Sequence, residues 1–338
     1  MLNYIIKRLL LALVTLFVIL FTSYALLRLA PGDPSRSDMM GSGDGAGMMD
    51  SRSNELNSNF SMREQLDLDK PLHVGFFRWF SRIVRHGDFG KSVTVDPGKP
   101  VTSLISERLG VTVSLNFWAI LITYLLAIPA GVFTAAKEGS IFDRSMEFFL
   151  FVLYSLPVMW AGLLLQSLLC DGGQFPLFPL KGIAPENPEH LSIWQLQLET
   201  LRCRFLPVLC LSYGGFAGLS RYTRSSMLEV LRSDFIRTAR AKGLGQTSIL
   251  WQHAFRNALI TMITLFSGIL PSLIAGSVLV EHIFNIPGMG SLSLLSLSSR
   301  DYPLQMALFA FSGALTLAGL LLSDLLYMLA DPRIRLDK

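Results

Sequence analysis

The sequence predicts an all-α integral membrane protein with six transmembrane helices and a large first extracytoplasmic loop. Three observations support this class: the composition, the length of the apolar stretches and the placement of the basic residues. Hydrophobic residues make up 51% of the 338 residues and charged residues 16%, whereas a typical soluble domain has about 25% charged residues. So few charges cannot cover the surface of a soluble protein, which argues against a soluble enzyme and against a disordered chain.

Six apolar stretches have lengths close to the roughly 20 residues that a membrane-spanning helix needs. They lie at 9–27, 111–136, 148–169, 206–220, 258–280 and 304–330. Helix is the expected form for each, because a helix satisfies its backbone hydrogen bonds within itself. The fourth stretch is the weakest, since it is short and rich in glycine. The first is longer than the apolar core of a signal peptide and no clean cleavage site follows it, so we expect an uncleaved anchor.

The basic residues orient the chain. With a cytoplasmic N-terminus, four short segments of 62 residues in total face the cytoplasm and hold 14 of the 29 lysines and arginines; they are 1–8, 137–145, 221–257 and 331–338. The outer segments hold the other 15 in 141 residues. This twofold difference in density follows the positive-inside rule. Both termini are therefore predicted to be cytoplasmic.

The predicted organisation has three parts. Residues 1–30 form an N-terminal transmembrane anchor, residues 31–110 an extracytoplasmic segment, and residues 111–338 the core of transmembrane helices with a cytoplasmic loop at 221–257. Within the outer segment, 39–61 is rich in Gly, Ser, Asn, Asp and Met and has no hydrophobic periodicity. We interpret this stretch as a flexible insert. Aromatic and aliphatic residues return after it, which predicts a small folded element.

No motif for catalysis or metal binding occurs in the chain. The five histidines are scattered, without the spacing of a His-Glu-x-x-His zinc site, and no Gly-x-Ser-x-Gly elbow is present. Gly90-Lys91-Ser92 ends like a P-loop, but the glycine required five positions before Gly90 is Arg85. The sequence therefore predicts a chain that is not an enzyme, with no catalytic residue, no metal site and no cofactor of its own.

Small residues repeat at intervals of four in three of the predicted spans, which places each set on one helix face. The sets are Gly214 and Gly218; Gly268, Ser272 and Gly276; and Ala310, Ala314 and Ala318. Such faces allow close helix contact. The contact is either within this chain or with a second membrane subunit, and the spacing does not decide between them.

Few polar or reactive groups lie in or beside the predicted spans. Glu147 and Asp324 are the notable carboxylates, and both read either as functional groups or, more simply, as interfacial side chains packed against neighbouring helices. Cys170 and Cys203 flank the outer loop. They either form a disulfide or remain reduced.

The cytoplasmic loop at 221–257 differs from the rest because it holds seven basic and two acidic residues. Apolar residues at steps of 3, 4 and 4 predict one face of an amphipathic helix; they are Leu228, Leu231, Phe235 and Ala239. Gly243 and Gly245 end this helix, and a second short helix is expected at 247–255. The element rests on lipid headgroups, is a solvated linker, or docks a cytoplasmic partner.

Two stretches of this loop form a long, ordered match to a known motif. They are DFIRTARAKGL at 234–244 and HAFRNAL at 253–259. Together they resemble the EAA loop of permease subunits of ABC importers, and they are most similar to the dipeptide/oligopeptide/nickel branch. Further matching stretches follow the same order along the chain: LAPGDP at 29–34, GDFGKS at 87–92, VEHIFNIPGMG at 280–290, RDYP at 300–303 and DPRI at 331–334.

The match has two departures. Arg237 stands where the EAA signature has an acidic residue, and Ile260 and Thr261 replace a proline that commonly follows the second stretch. The missing proline, together with FPLFPLKG at 175–182, is more similar to the microcin C and peptide importer subgroup. The insert at 39–61 has no counterpart in the family pattern.

The resemblance implies an assembly. A permease of this kind pairs with a second homologous permease subunit, with two ABC ATPase subunits that use ATP, and with a periplasmic solute-binding protein. It spans the bacterial inner membrane, involves no nucleic acid, and moves di- or oligopeptides or a peptide-like solute from periplasm to cytoplasm. The translocation path forms between the two permeases.

The resemblance also implies two sets of site residues. The set that couples to the ATPase is Asp234, Arg237, Thr238, Ala239, Arg240, Ala241, Lys242, Gly243, His253, Arg256 and Asn257. The set that forms an outer loop or gate is Asn285, Pro287, Gly288 and Gly290. Gly243 matters in this scheme because the chain must turn sharply after the coupling helix.

Two alternatives from other classes stay open. A self-contained, ion-coupled secondary carrier or channel would have inverted repeats and broken helices with charged ligands at the midplane, and the sequence has no convincing repeat. A membrane scaffold would use the cytoplasmic loop to recruit a partner without moving a solute.

Overall fold

The computed structural model describes residues 2–29, 70–180, 182–185, 188–259 and 277–330. These residues form eleven α-helices: α1 (Leu2–Leu29), α2 (Leu72–His86), α3 (Val101–Ala136), α4 (Ile141–Ser155), α5 (Val158–Leu169), α6 (Ile193–Leu231), α7 (Asp234–Ala241), α8 (Gln246–Ser248), α9 (Val278–Ile283), α10 (Met289–Ser298) and α11 (Tyr302–Ala330). A π-helical stretch, Ile249–Phe255, follows α8, and a short 3₁₀ helix, Pro188–His190, precedes α6. Within this described part, β-pairing is limited to two isolated bridges.

Four helices, α1, α3, α6 and α11, are long and apolar enough to cross a membrane, and α4 with α5 makes a fifth span if that bent pair is counted as one. Four of the predicted spans lie within the four long helices. The predicted span at 258–280 falls largely outside the described residues. The all-α membrane class is therefore confirmed, while the count of six spans stays a prediction.

The predicted third span, 148–169, is not one straight helix. The axes of α4 and α5 differ by 92°, and the break falls at Leu156 and Pro157. Proline has no backbone N–H and disfavours helical geometry in the residue before it, and Leu156 is extended (φ −76°, ψ 120°). The Tyr213 hydroxyl donates a hydrogen bond of 2.8 Å to the Leu156 carbonyl. That bond satisfies a carbonyl group that the break in the helix leaves without its helical partner.

The chain divides into two compact units, residues 1–110 with 291–317, and residues 111–290 with 318–338. In the first unit, the amphipathic helix α2 packs on α1 through aromatic rings. Phe76 is fully buried, and its ring centroid lies 5.3 Å from that of Phe17 and 5.1 Å from that of Phe21. Helix α2 is a folded element of the kind expected after the insert, and Gly87 ends it with a left-handed backbone (φ 63°). The three-part domain division stays a prediction.

In the second unit, α3 and α6 approach closely along small residues. A Cβ atom added to Gly131 would lie 2.5 Å from the Thr223 Cβ, and one added to Gly215 would lie 3.2 Å from the Thr123 Cγ2. Gly214 and Gly218 have no described atom within 4 Å of that position. Among the described residues, the close contact between α3 and α6 therefore uses neighbours of the predicted pair, and none of these residues covers the Gly214 face.

The other small-residue sets have mixed outcomes. Ala310 is buried in the first unit, whereas Ala314 and Ala318 are exposed. Gly313 makes the close approach there, because a Cβ atom added to it would lie 3.3 Å from the Leu16 Cδ1. The set at 268, 272 and 276 lies outside the described residues. The three cysteines, Cys170, Cys203 and Cys210, are buried and free, so the structure has the reduced form.

Candidate coupling surface and outer loops

The predicted amphipathic helix across 228–239 is wrong, because the structure breaks it into two helices. Helix α6 ends at Leu231 and α7 begins at Asp234. Ser233 between them is extended (φ −73°, ψ 155°), and its hydroxyl donates to the Val230 carbonyl. Serine favours such boundary positions because its side chain bonds the local backbone. Asp234 in the first turn and Arg240 in the last turn suit the helix dipole.

Helix α7 is held to the bundle by two small contacts. Ile236 and Ala239 are buried in an apolar cluster with Val132, Met227 and Ile249. Phe235, which the sequence places on the apolar face with Ala239, is 46% exposed. The break rotates the helix so that its packed face carries Ile236 in place of Phe235.

The remaining side chains of α7 and the turn after it face outward. We call this the coupling surface; its exposed residues are Asp234, Phe235, Arg237, Thr238, Arg240, Ala241, Lys242, Gly243 and Leu244. Arg237 pairs with Asp234 at 3.2 Å, whereas Arg240 and Lys242 add positive charge. Of the predicted coupling residues in α7, Ala239 lies inside and fixes the helix.

The predicted sharp turn is present at Gly243, whose φ is +79°. The Gly243 N–H donates to the Arg240 carbonyl at 2.9 Å, and the Leu244 N–H donates to the Ala239 carbonyl at 3.4 Å. This pattern is a Schellman motif, which closes a helix with a left-handed residue, usually glycine. No described atom lies within 4 Å of a Cβ at Gly243. The backbone angle, rather than space inside the chain, is therefore what requires glycine.

The predicted second helix at 247–255 is found, with a π-helical course over Ile249–Phe255. π-Helical segments are rare in proteins, and those that do occur often lie at functional sites. His253 is half-buried, while Arg256 and Asn257 are exposed. The Asn257 amide donates to the His253 carbonyl at 2.7 Å. These three predicted residues therefore share one helical stretch, separate from the coupling surface on α7.

An ion network that sequence reasoning missed ties α6 to α4 near this loop. The Arg224 guanidinium donates two bonds of 2.8 Å to the Asp143 carboxylate and lies 3.0 Å from Glu147. Asp143 is 2% exposed and also accepts the Gly139 N–H at 2.9 Å. For Glu147 the simpler interpretation holds, because it pairs across to a neighbouring helix. The sequence signal that could have pointed to Asp143 was the Ser140-x-x-Asp143 spacing, which is typical of a helix cap.

A cavity of about 270 Å³ lies between α7 and the ends of α3 and α6. Its lining is apolar on α3 and α6 and includes Arg232, Arg240 and Glu138. Arg232 pairs with Glu138 at 2.6 Å. The coupling helix therefore packs incompletely on the side of this cavity.

Two outer motifs that carry the resemblance are brought together by Asp301. One oxygen of this fully buried carboxylate accepts the Ser92 hydroxyl at 2.6 Å and the N–H groups of Val93, Thr94 and Val95 at 3.0, 3.1 and 3.2 Å. The other oxygen accepts the Leu304 N–H at 3.2 Å, at the start of α11. The carboxylate thus caps a helix and folds a loop. Its position just before an apolar helix was the sequence signal.

The predicted outer gate, 285–290, is organised around Glu281, which sequence reasoning did not select. Asn285 and Pro287 are exposed, whereas Gly288 and Gly290 are buried. The Ile286 N–H donates to the Glu281 carbonyl at 2.7 Å. The four predicted residues therefore split into two that are presented outward and two that pack inward.

Comparison with known proteins identifies the family of the chain. The sequence profile for the binding-protein-dependent transport system inner membrane component matches residues 127–336. The profile for the N-terminal part of such membrane components matches residues 1–116. The chain is also 37% identical over 331 residues to the oligopeptide transport system permease protein AppB of Bacillus subtilis, with 98% of each chain covered.

Two further relatives are similar over nearly their whole length. The inner membrane ABC transporter permease protein YejB of Escherichia coli O157:H7 is 34% identical, with 98% of each chain covered. The peptidoglycan transport system permease protein YejB of Agrobacterium fabrum is 33% identical, with 99% of this chain and 98% of the relative covered. The chain therefore belongs to the binding-protein-dependent transport system inner membrane components, the permease subunits of ABC transporters, as its EAA loop indicated.

Proposed function

We propose that this chain is the permease subunit of an ATP-driven importer that moves peptides from the periplasm to the cytoplasm. The observation that carries the proposal is the coupling surface: an exposed, basic helix that is anchored by two buried side chains and closed by a left-handed glycine. The peptide cargo is supported by the relative AppB, which is named as an oligopeptide transport system permease. One relative is named for peptidoglycan, which also contains peptide. The microcin C subgroup stays a prediction.

Coupling requires that a partner's motion reach the membrane helices. Helix α7 is joined to α6 by two residues, Arg232 and Ser233, and α6 is tied to α4 by the bidentate Arg224–Asp143 pair at 2.8 Å. A displacement of α7 would therefore pass into two apolar helices. Bidentate Arg–carboxylate pairs suit this role because they fix orientation as well as distance.

The proposed assembly contains this chain, a second homologous permease, two ABC ATPase subunits and a periplasmic solute-binding protein. The ATPases hydrolyse ATP and this chain does not. The open Gly214 and Gly218 face supports a helix contact with the second permease. The exposed outer residues support docking of the solute-binding protein. The chain would lie in the bacterial inner membrane with both termini cytoplasmic, bound to lipid and to no nucleic acid.

One observation favours the alternative of a self-contained secondary carrier. The 92° break between α4 and α5 resembles the broken helices that form ion and substrate sites in such carriers. At this break the freed Leu156 carbonyl is bonded by Tyr213 rather than by a charged ligand. We therefore favour the ATP-driven importer.

The test is a gentle detergent purification of the chain, tagged at its C-terminus, with identification of co-purified proteins and an assay of ATP hydrolysis. A second permease and P-loop ATPases should co-purify, and a solute-binding protein should stimulate hydrolysis. A cysteine at Arg240 should crosslink to an ATPase subunit. Purification of the chain by itself, with ion-driven peptide uptake in vesicles, would establish the carrier instead.

A further inference from the structure

A carboxylate with almost no access to solvent lies under the outer loop 285–290. Glu281, in the first turn of the short helix α9, is 3% exposed. Burial of an ionised carboxylate is costly unless hydrogen bonds compensate it. We therefore expect this carboxylate to be held by hydrogen bonds beneath the loop, whose tip is exposed.

Thr112, near the outer end of α3, connects this carboxylate to the loop. The Thr112 hydroxyl donates to the Glu281 Oε1 at 3.0 Å and accepts the Met289 N–H at 2.8 Å. The hydroxyl thus acts as donor on one side and acceptor on the other. Because a threonine hydroxyl has one hydrogen, giving it to the carboxylate leaves the oxygen lone pairs for the loop.

Two glycines let the loop close around the carboxylate. A Cβ on Gly288 would lie 2.5 Å from the Glu281 Oε1, and a Cβ on Gly290 would lie 2.6 Å from the Val278 nitrogen. Neither distance is sterically possible without displacement. The loop backbone therefore packs directly against the Glu281 side chain and its helix, with no space for any larger residue.

The same fold presents a small exposed edge. His282, Asn285 and Pro287 are exposed, whereas Ile286, Gly288 and Met289 are buried. Asn285 has a left-handed backbone (φ 51°), a conformation that asparagine tolerates better than most residues. The exposed edge is therefore held in one shape by the buried residues between its members.

We propose that Glu281 is a positioning residue that fixes this edge, His282–Asn285–Pro287, as a contact for the solute-binding protein. The proposal rests on the proposed function of the chain as an importer permease. Glu281 is too buried to touch a partner, so it acts through the loop and through Thr112. A contact surface that is fixed before binding loses less entropy on binding. This is the advantage of holding the edge in place through the buried Glu281 carboxylate.

The central experiment compares Thr112→Val with Thr112→Ser in the assembled, reconstituted complex. Valine keeps the shape and removes the hydroxyl, whereas serine keeps the hydroxyl. Binding-protein concentration is varied while ATP hydrolysis is measured. We expect the half-saturating concentration to rise about tenfold in Thr112→Val, because this variant loses a hydrogen bond to a charged group. In Thr112→Ser it should stay within about twofold of the wild-type value. Glu281→Gln keeps an acceptor for the Thr112 hydroxyl and removes the charge, so its half-saturating concentration should lie between those of Thr112→Ser and Thr112→Val. Equal half-saturating concentrations in the Val and Ser variants would overturn the proposal.

A second readout needs no transport. Asn285→Cys is labelled from outside with an impermeant thiol reagent, in combination with each Thr112 variant. The rate should change several-fold with Val and remain as in the parent with Ser; identical rates would overturn the positioning role even if the importer function holds. If the rates differ but no binding protein stimulates hydrolysis, the importer proposal fails and the positioning role stands as a property of the loop.

The steric part is tested by a double-mutant cycle. Gly288→Ala should reduce the amount of folded complex strongly in the wild type and less in a Glu281→Ala background, because the clashing carboxyl is gone. Additive effects would contradict direct packing of the loop on Glu281. This cycle also decides the question if a single variant fails to accumulate.

Discussion

The loops predicted to lie outside the membrane and helix α7, predicted to lie on its cytoplasmic side, are fixed to the protein by different kinds of contact. Outside, Asp301 and Glu281 are buried carboxylates, and backbone N–H groups or hydroxyls converge on them or on their partners. Inside, α7 is held by the apolar side chains of Ile236 and Ala239, next to a cavity of about 270 Å³. Hydrogen bonds specify one geometry, whereas apolar contacts are non-directional. These loops are therefore held in one shape, and in the proposed importer the weaker hold on α7 would allow that helix to shift.

The largest expected effect comes from Asp301. In Asp301→Ala, the Ser92 hydroxyl and several buried N–H groups lose their acceptor, which should destabilise the fold by at least about 3 kcal/mol. Membrane accumulation and resistance of the 88–100 loop to protease should both fall sharply. Asp96→Asn, at an exposed site on the same loop, is the matched control and should be tolerated. A stable, protease-resistant Asp301→Ala protein would break the outer half of the comparison.

The next largest effect is expected at the Arg224–Asp143 pair. Removal of one partner from a buried pair costs about 3–5 kcal/mol, and the 20% exposure of the Arg224 side chain places this pair at or below the lower end. Arg224→Met should lower the thermal stability of the complex. Arg224→Lys should recover only part of the lost stability, because lysine keeps the charge but cannot bond both carboxylate oxygens in the same plane. Arg232→Met removes an exposed pair and should cost less than about 1 kcal/mol; equal losses at both positions would contradict the structure.

At Gly243 the expected change in stability is small and the change in coupling large. The left-handed backbone at this residue costs about 1 kcal/mol for most side chains, so Gly243→Asp should still enter the membrane while ATP-dependent uptake is lost. Gly243→Asn is better tolerated by the backbone and separates the turn from the loss of space at a partner surface. Gly245, with an ordinary φ of −64°, offers the control Gly245→Ala. Normal uptake by Gly243→Asp would rule out this turn as the coupling point.

The smallest effect concerns Cys170, at the outer end of α5. Burial raises the pKa of the Cys170 thiol, and the neighbouring Asp171 raises it further. Less thiolate is then present at neutral pH, so alkylation should be slow at pH 7 and should accelerate as the pH rises beyond the usual thiol range. An exposed Asp171→Cys, made in a Cys170→Ser background, gives the comparison rate. Fast labelling of Cys170 at pH 7 would show that this outer end opens.

What the sequence predicts well is local. Apolar stretches near 20 residues identify the long helices, and a glycine after a basic helix identifies the turn at Gly243. The break at Ser233 was missed because the apolar spacing of Leu231 and Phe235 continued through it, and a cap signal is weaker than a period of four residues. Pro157 is a sequence signal for the break between α4 and α5, but the length of the apolar stretch favoured a single straight span.

Contacts between distant residues were beyond prediction. Ser92 and Asp301 are 209 positions apart, and Thr112 and Glu281 are 169 apart. Both pairs lie in stretches that resemble the family pattern, so the motifs were found while their partners were not. No local rule joins such segments, because only the folded arrangement of helices brings them within 3 Å.

Helix α6 is longer than one crossing of a membrane requires. Its 39 residues give a rod about 58 Å long, nearly twice the roughly 30 Å hydrocarbon thickness. Its lower end leads within two residues to the coupling helix, and its upper end begins in the outer loop after Cys170. A tilt of about ten degrees about one end would sweep the other end through about 10 Å. If α6 moves as one rod in the proposed importer, it acts as a lever, with which a small rotation at the end next to α7 becomes a large displacement at the far end.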